Sequence, residues 1–197
     1  MKKKNHITTL VLFVLCVLLV LFPRVSFAQE TEMAGEMVIV SPPPIVTITP
    51  IPSYLMPYPG ILPDNPLYGL KTLRDKFVST MIGDPLKKVE FNLLQADKRI
   101  GAALFLIKTG NQDKQELALS TISKGQNYYE EAIVKLSEAK KQGTNVTEMI
   151  STMKRAGEQH IYQLEKAKKT LPKTLQPTMG ELIARSQKLH TTVKTLK

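Results

Sequence analysis

Apolar and polar positions change rhythm twice along this chain. From Leu10 to Phe22 the residues are apolar without a break. From Ser41 to Pro66, apolar residues are interleaved with nine of the chain's 13 prolines. Beyond Asn65 the apolar positions recur in steps of three and four, the spacing that lines one face of an α-helix. Five such series follow one another. A short first one holds Leu70, Leu73, Phe77 and Met81. The second runs Val89, Leu93, Ala96, Ile100, Ala103, Ile107, and the third Ala118, Ile122, Gly125, Tyr129, Ala132, Leu136, Ala139. The fourth runs Ile150, Met153, Gly157, His160, Leu164, Ala167, Leu171, and the fifth Leu175, Met179, Leu182, Ser186, Leu189, Val193, Leu196.

Punctuation between the series agrees with helices. Asn65-Pro66 and Asp84-Pro85 each read as an N-cap followed by proline at the first helical position. Gly110 and Gly143 stand where helices end, and Asn111 and Asn145 where the next begin. Asn145 has Glu148 three residues on, an approximate capping box. Pro172 stops the fourth helix and Thr174 is placed to cap the last. Short turns between long helices predict an all-α fold, an up-and-down antiparallel bundle of four to five helices. Gly125, Ala132, Gly157 and Ala167 in the seams would let those helices approach closely. No strand pattern and no internal repeat is present.

The apolar run near the start follows Lys2, Lys3 and Lys4, and Ser26-Phe27-Ala28 places small residues before Gln29. Those are the requirements of a secretory signal peptide, with cleavage between Ala28 and Gln29. The alternative, an uncleaved anchor, is disfavoured because the run is short of the ~20 residues a spanning helix needs. Residues 1–28 therefore read as a Sec-type signal peptide, 29–63 as an acidic, proline-rich extended linker, and 64–197 as the helical bundle. Proline fixes φ and stiffens such a linker. Its second half, from Tyr54, is apolar enough to fold back onto the bundle. The expected localisation is extracytoplasmic, either secreted or attached to the envelope. The one cysteine, Cys16, lies inside the leader, so the mature chain can form no disulfide and offers no thiolate.

Charge sharpens the picture. Four of the 27 bases lie in residues 1–28 and four of the 17 acids in 29–65, leaving 66–197 with 23 bases against 13 acids, a net +10. Much of the clustering is at helix ends, where the dipole favours cations: Lys140 and Lys141, then Lys166, Lys168, Lys169 and Lys173. Lys87 and Lys88 occupy a first turn, where the dipole disfavours them, and are either held there for a partner or tolerated at small cost. His160 lies in a seam and His190 beside one. Neither has a glutamate three residues before it, as a di-iron bundle requires, so both read as hydrogen-bonded core or boundary residues. Glu130 and Glu131 face Lys135, and Asp97 faces Gly101, as solvated surface charges. No metal, cofactor or catalytic constellation emerges, and nucleic acid is not expected as a partner of an exported chain.

Leu62-Pro63-Asp64-Asn65-Pro66-Leu67-Tyr68-Gly69-Leu70-Lys71, Asp84-Pro85-Leu86-Lys87-Lys88-Val89-Glu90 and Ala96-Asp97-Lys98-Arg99 form a distinctive set. Together they resemble a bacterial domain-of-unknown-function family with a P-D-x-P-x-Y-x-L-K opening, then D-P-x-x-K-A-E and A-x-x-R-L. Val89 and Ile100 stand where that pattern has alanine and leucine. The resemblance implies an exported or membrane-anchored all-α protein without an assigned activity. It also implies that Tyr68, Lys71, Lys87 and Lys88 lie near one another at the first helix and the turn into the second, as an interaction surface; the plainer and favoured reading is that Asp64 and Pro66 are capping chemistry and Tyr68 packs under the proline-rich segment. The expected function is a non-enzymatic cell-envelope protein, a protein-interaction module or scaffold. The near-continuous Leu104-Phe105-Leu106-Ile107 motivates that reading by predicting an oligomer or an apolar groove. The alternative is a binder of anionic envelope polymer through the basic head. Membrane contact is expected only if the leader stays uncleaved, and self-association is open.

Overall fold

In a computed structural model, residues 54–196 are described. The expected signal peptide, its expected Ala28–Gln29 junction and the expected linker up to residue 53 lie outside the described residues. Five helices follow in order: α1 (Tyr68–Met81), α2 (Pro85–Thr109), α3 (Gln112–Lys141), α4 (Thr147–Lys168) and α5 (Gln176–Thr195). No strand occurs among the described residues.

Local chemistry sets most of the boundaries. Asp84 caps α2 by accepting from the Lys87 amide at 2.9 Å, with Pro85 at the first helical position. Asn111 does the same for α3, accepting from Lys114 N at 3.2 Å. Helix α3 ends in a Schellman motif. Gly143, at φ +81°, donates to Lys140 O, and Thr144 N donates to Ala139 O.

Three expected caps fall elsewhere. Asn65 accepts from Leu67 N and shapes a turn, so α1 begins two residues later than Pro66. Asn145 likewise accepts from Thr147 N, while the capping position of α4 is taken by Val146, a buried core residue. With the buried Val146 at that position, α4 has no side-chain cap bond and the expected capping box does not form. Helix α5 has Leu175, not Thr174, at its capping position, with no side-chain cap bond.

Helices α2 to α5 form the bundle. Packing pairs α2 with α3 and α4 with α5 as hairpins, and joins the hairpins through α2–α4 and α3–α5. Direction alternates along the chain, so the joined helices α2 and α4 run parallel, as do α3 and α5. The start of α2, the end of α3, the start of α4 and the end of α5 share one apolar cluster, which includes Val89, Leu136, Met153 and Val193. The opposite ends share a second cluster, including Ile100, Ile122, Leu164 and Met179. Every seam position expected in α2, α3 and α4 is buried; in α5 Met179, Ser186, Leu189 and Val193 are buried, while Leu175, Leu182 and Leu196 are half-buried. At Gly125 a Cβ would stand 3.0 Å from the Ile100 side chain and 3.2 Å from Ala96 O, a tight fit that favours glycine at the α2–α3 approach. Leu106 and Ile107 join the core and Leu104 is half-buried, which leaves only Phe105 of the Leu104–Ile107 run exposed.

The end of the proline-rich segment does fold back. Tyr54 packs on the first cluster and Met56 on the second, while Pro57 and Pro59 lie against Gly101 of α2. Asp64 pairs with Lys114 at 2.9 Å. Helix α1 is different in kind. It packs on none of the bundle helices over an extended seam, and its only buried residue is Asp75.

Candidate interaction surface

Two features stand out from the bundle, one internal and one external. Between the two apolar clusters runs a buried polar layer. His160 Nε2 and Asp97 Oδ1 are 2.6 Å apart, and the Tyr54 hydroxyl donates to Asp97 Oδ2 at 2.6 Å. A carboxylate can only accept, so His160 donates through Nε2. The His160 ring meets Tyr129 edge-on at 5.6 Å, and the Tyr129 hydroxyl donates to Met153 O at 2.7 Å. Gln126 Nε2 donates to Leu182 O and, at 2.8 Å, to Ser186 Oγ.

Asp97 is therefore not the solvated surface charge expected from its spacing to Gly101: it is 1% exposed. Helix α2 is covered on two sides, by the bundle and by the returning segment, so the residue after seam position Ala96 is enclosed as well. Burial and the Asp97 carboxylate together push the Tyr54 hydroxyl far above its ordinary pKa. Burial does the same at Tyr129, with Asp97 adding to it. The cavity in this layer, lined by Gln126, Tyr129, Gly157, His160 and Ser186 among others, holds only about 10 Å³. That is water-sized, so the layer is a structural brace with no room for a substrate. His160 is a hydrogen-bonded core residue, as expected. Among the described residues, no group of three His, Cys, Asp or Glu is placed to hold a metal ion.

The family-motif residues form two braces at opposite ends of α1 rather than one cluster. At its start, the Tyr68 ring receives Lys71 Nζ at 5.5 Å and the Arg99 guanidinium at 5.1 Å, and Arg99 also lies 5.5 Å from the Tyr128 ring. Lys71 Nζ donates to Pro59 O at 2.8 Å and Ile61 O at 3.1 Å. Gly60 between them, at φ +71°, makes the turn that presents both carbonyls. Partial burial lowers the Lys71 pKa, and Asp75 draws it partly back. At the other end, Lys88 Nζ donates to Ser79 O in the last turn of α1. Lys71 and Ser79 are eight residues apart, ~12 Å along the axis. Lys87 is exposed and pairs with Glu90 at 3.2 Å.

Other charges also pair differently from their spacing. Glu130 accepts from Arg185 at 2.8 Å, while Lys135 bonds Glu138 at 2.9 Å, which raises the Lys135 pKa. Of the helix-end lysines, Lys140, Lys141, Lys166, Lys169 and Lys173 are exposed, and Lys168 is half-buried with its ammonium over Gly180.

The external feature is the apolar series of α1 itself. Leu70, Leu73, Phe77 and Met81, expected to face the core, are 66%, 66%, 61% and 71% exposed. The helix is turned over: Tyr68, Lys71, Thr72 and Asp75 face inward, because Arg99, the Pro59 and Ile61 carbonyls and Lys88 offer polar partners there. Past Met81 the surface continues into a shallow groove of about 480 Å³, lined by Ile82, Asp84, Lys87, Glu90, Phe91 and Leu94. Among the described residues, this stripe is the largest apolar feature exposed on any one helix. Periodicity identified its members but could not say which way it turned.

Over residues 60–174 the sequence matches a protein-family model described as Domain of unknown function (DUF5667). No curated protein and no solved structure matches the chain.

Proposed function

We propose that this chain, which belongs to the DUF5667 family, is an exported, non-enzymatic cell-envelope protein whose bundle serves as an interaction module or scaffold. The observation that carries the reading is the outward apolar stripe of α1. Four large apolar side chains in one line are costly to leave in water, and patches of this kind mark interaction sites. The polar layer supports the same reading, since it fills the enclosed space between the two clusters with structural hydrogen bonds. Export rests on the leader pattern of residues 1–28. The test is fractionation of a bacterial host expressing the full chain. Export predicts a mature N-terminus at Gln29. Docking through α1 predicts that the Leu73→Ser/Phe77→Ser variant leaves the envelope fraction for the soluble one. An unchanged distribution of the variant would sink the docking role of α1.

A second reading, binding to anionic envelope polymer through the basic head, is favoured by the +10 of residues 66–197. Retention on an immobilised polyanion should then fall steeply with salt, because exposed charges separated by more than a Debye length are screened. Passage straight through at low salt rules it out.

A further inference from the structure

We infer that α1 docks in the plane of an anionic lipid surface, with Leu70, Leu73, Phe77 and Met81 in the boundary between headgroups and acyl chains. This rests on the docking reading above and names its partner.

At 100° per residue, Leu70, Leu73, Phe77 and Met81 fall within one arc of about 80°, while Arg74 borders that arc on one side and Lys76 lies beyond its other edge. Both basic residues are exposed. The one acid of the helix, Asp75, is turned inward and paired with Arg74 at 2.8 Å. An apolar stripe with cations on either side is the pattern of helices that lie in a membrane interface. At 14 residues α1 is too short to span a bilayer, and no described helix is long and apolar enough to do so.

Charge and area separate this partner from a second copy of the chain. Two stripes packed face to face would bring Arg74 and Lys76 of each copy together, inside a molecule whose residues 66–197 already carry +10. The stripe also offers only a few hundred Å², against the ~800 Å² per partner that a stable interface needs. Insertion in an interface needs only one helix face and gains from every nearby cation. The inference gives the mature chain a membrane contact that does not depend on an uncleaved leader.

The chain has no tryptophan, so Phe77→Trp introduces a single reporter at the centre of the stripe. Residues 29–197 are used, because every described contact lies within 54–196 and the described residues belong to one compact unit. Circular dichroism first confirms that each variant is helical. With vesicles of phosphatidylcholine and phosphatidylglycerol, the emission of the Phe77→Trp variant should shift to the blue. The shift should weaken on going from about 0.1 M to about 1 M salt, and should be small with phosphatidylcholine alone. A Phe105→Trp control, at a position 48% exposed on α2, should not shift. Leu70→Ser/Leu73→Ser in the Phe77→Trp background should weaken vesicle binding by at least about tenfold.

Each contrary result overturns the inference. Emission already blue in buffer means that residues 29–53 cover the stripe. A shift that follows protein concentration without vesicles means a second copy. An equal shift on both vesicle types removes the anionic requirement. No shift on anionic vesicles, with α1-dependent envelope retention intact, leaves the docking role standing and assigns the partner to protein.

Discussion

Removing one oxygen atom tests how the proline-rich segment is held. Tyr54→Phe keeps the ring that packs on the first apolar cluster and deletes only the hydroxyl bonded to Asp97 at 2.6 Å. A hydrogen bond to a charged group contributes ~1.5–3 kcal/mol, and here its loss also leaves Asp97 Oδ2 buried without that donor. His160 still holds Oδ1, so the cost should stay near ~2 kcal/mol rather than reach that of an unpaired buried charge. For a domain of this size that corresponds to a fall in Tm of ~4–8 °C. The cost is capped by the docking free energy of residues 54–63, beyond which the segment detaches while the bundle stays folded.

Urea unfolding followed by circular dichroism measures the global part, and protease cleavage before residue 68 measures detachment. The decisive comparison is a double-mutant cycle. In an Asp97→Ala background the same Tyr54→Phe change should cost less than ~0.5 kcal/mol, because its partner is gone. Equal costs in both backgrounds would refute the assignment to this bond. A pH readout accompanies it. The Tyr54 pKa is raised in the folded chain, so above about 10, where unfolded tyrosine ionises, the folded state binds more protons and stability falls as pH rises. Tyr54→Phe should reduce that alkaline loss, leaving the share due to Tyr129.

Three further outcomes follow from the same geometry. Gly157→Ala places a Cβ 2.8 Å from the Tyr129 hydroxyl and 3.2 Å from His190 Cδ2, and should destabilise the bundle by ~1–3 kcal/mol. Chemical denaturation should show part of that loss recovered in a Tyr129→Phe background, and no recovery would mean that the His190 side chain, not the Tyr129 hydroxyl, limits the space at Gly157. His190 has its pKa lowered by burial first and then by Lys194, with Lys154 adding and Glu158 opposing. The unfolded chain then binds the extra proton, so stability should decline as pH falls below about 6.5 and through the lowered value, and His190→Gln should flatten that decline in melts at successive pH values. Leu164→Ala, fully buried, should cost ~2–5 kcal/mol, whereas Leu73→Ser on the exposed stripe should stay within ~0.5 kcal/mol; comparable costs at the two sites would mean that α1 is not turned outward.

Much of this architecture is local and therefore legible in the sequence. Asp84, Asn111 and Gly143 act within three or four residues of themselves, and the seams of α2, α3 and α4 follow from a repeat that any α-helix imposes. Gly125 and Gly157 could be recognised as close-approach points because each interrupts an otherwise larger-residue seam. The fold class rests on signals of that range; the apolar residues from Tyr54 onward indicate that the segment can fold back, but not where it docks.

What only the tertiary structure decided concerns partners distant along the chain. Asp97 meets Tyr54 across 43 residues and His160 across 63, and nothing in the spacing around Asp97 records either. The order of helices around the bundle, with the parallel pairs α2–α4 and α3–α5 as neighbours, is likewise set by which surfaces fit once the hairpins meet. Helix α1 shows the limit most plainly. Periodicity establishes that Leu70, Leu73, Phe77 and Met81 share a face, but a face has no direction until something packs against the other side. Here Arg99, Lys88 and two carbonyls of the proline-rich segment engage the polar side, and the apolar side is left outward.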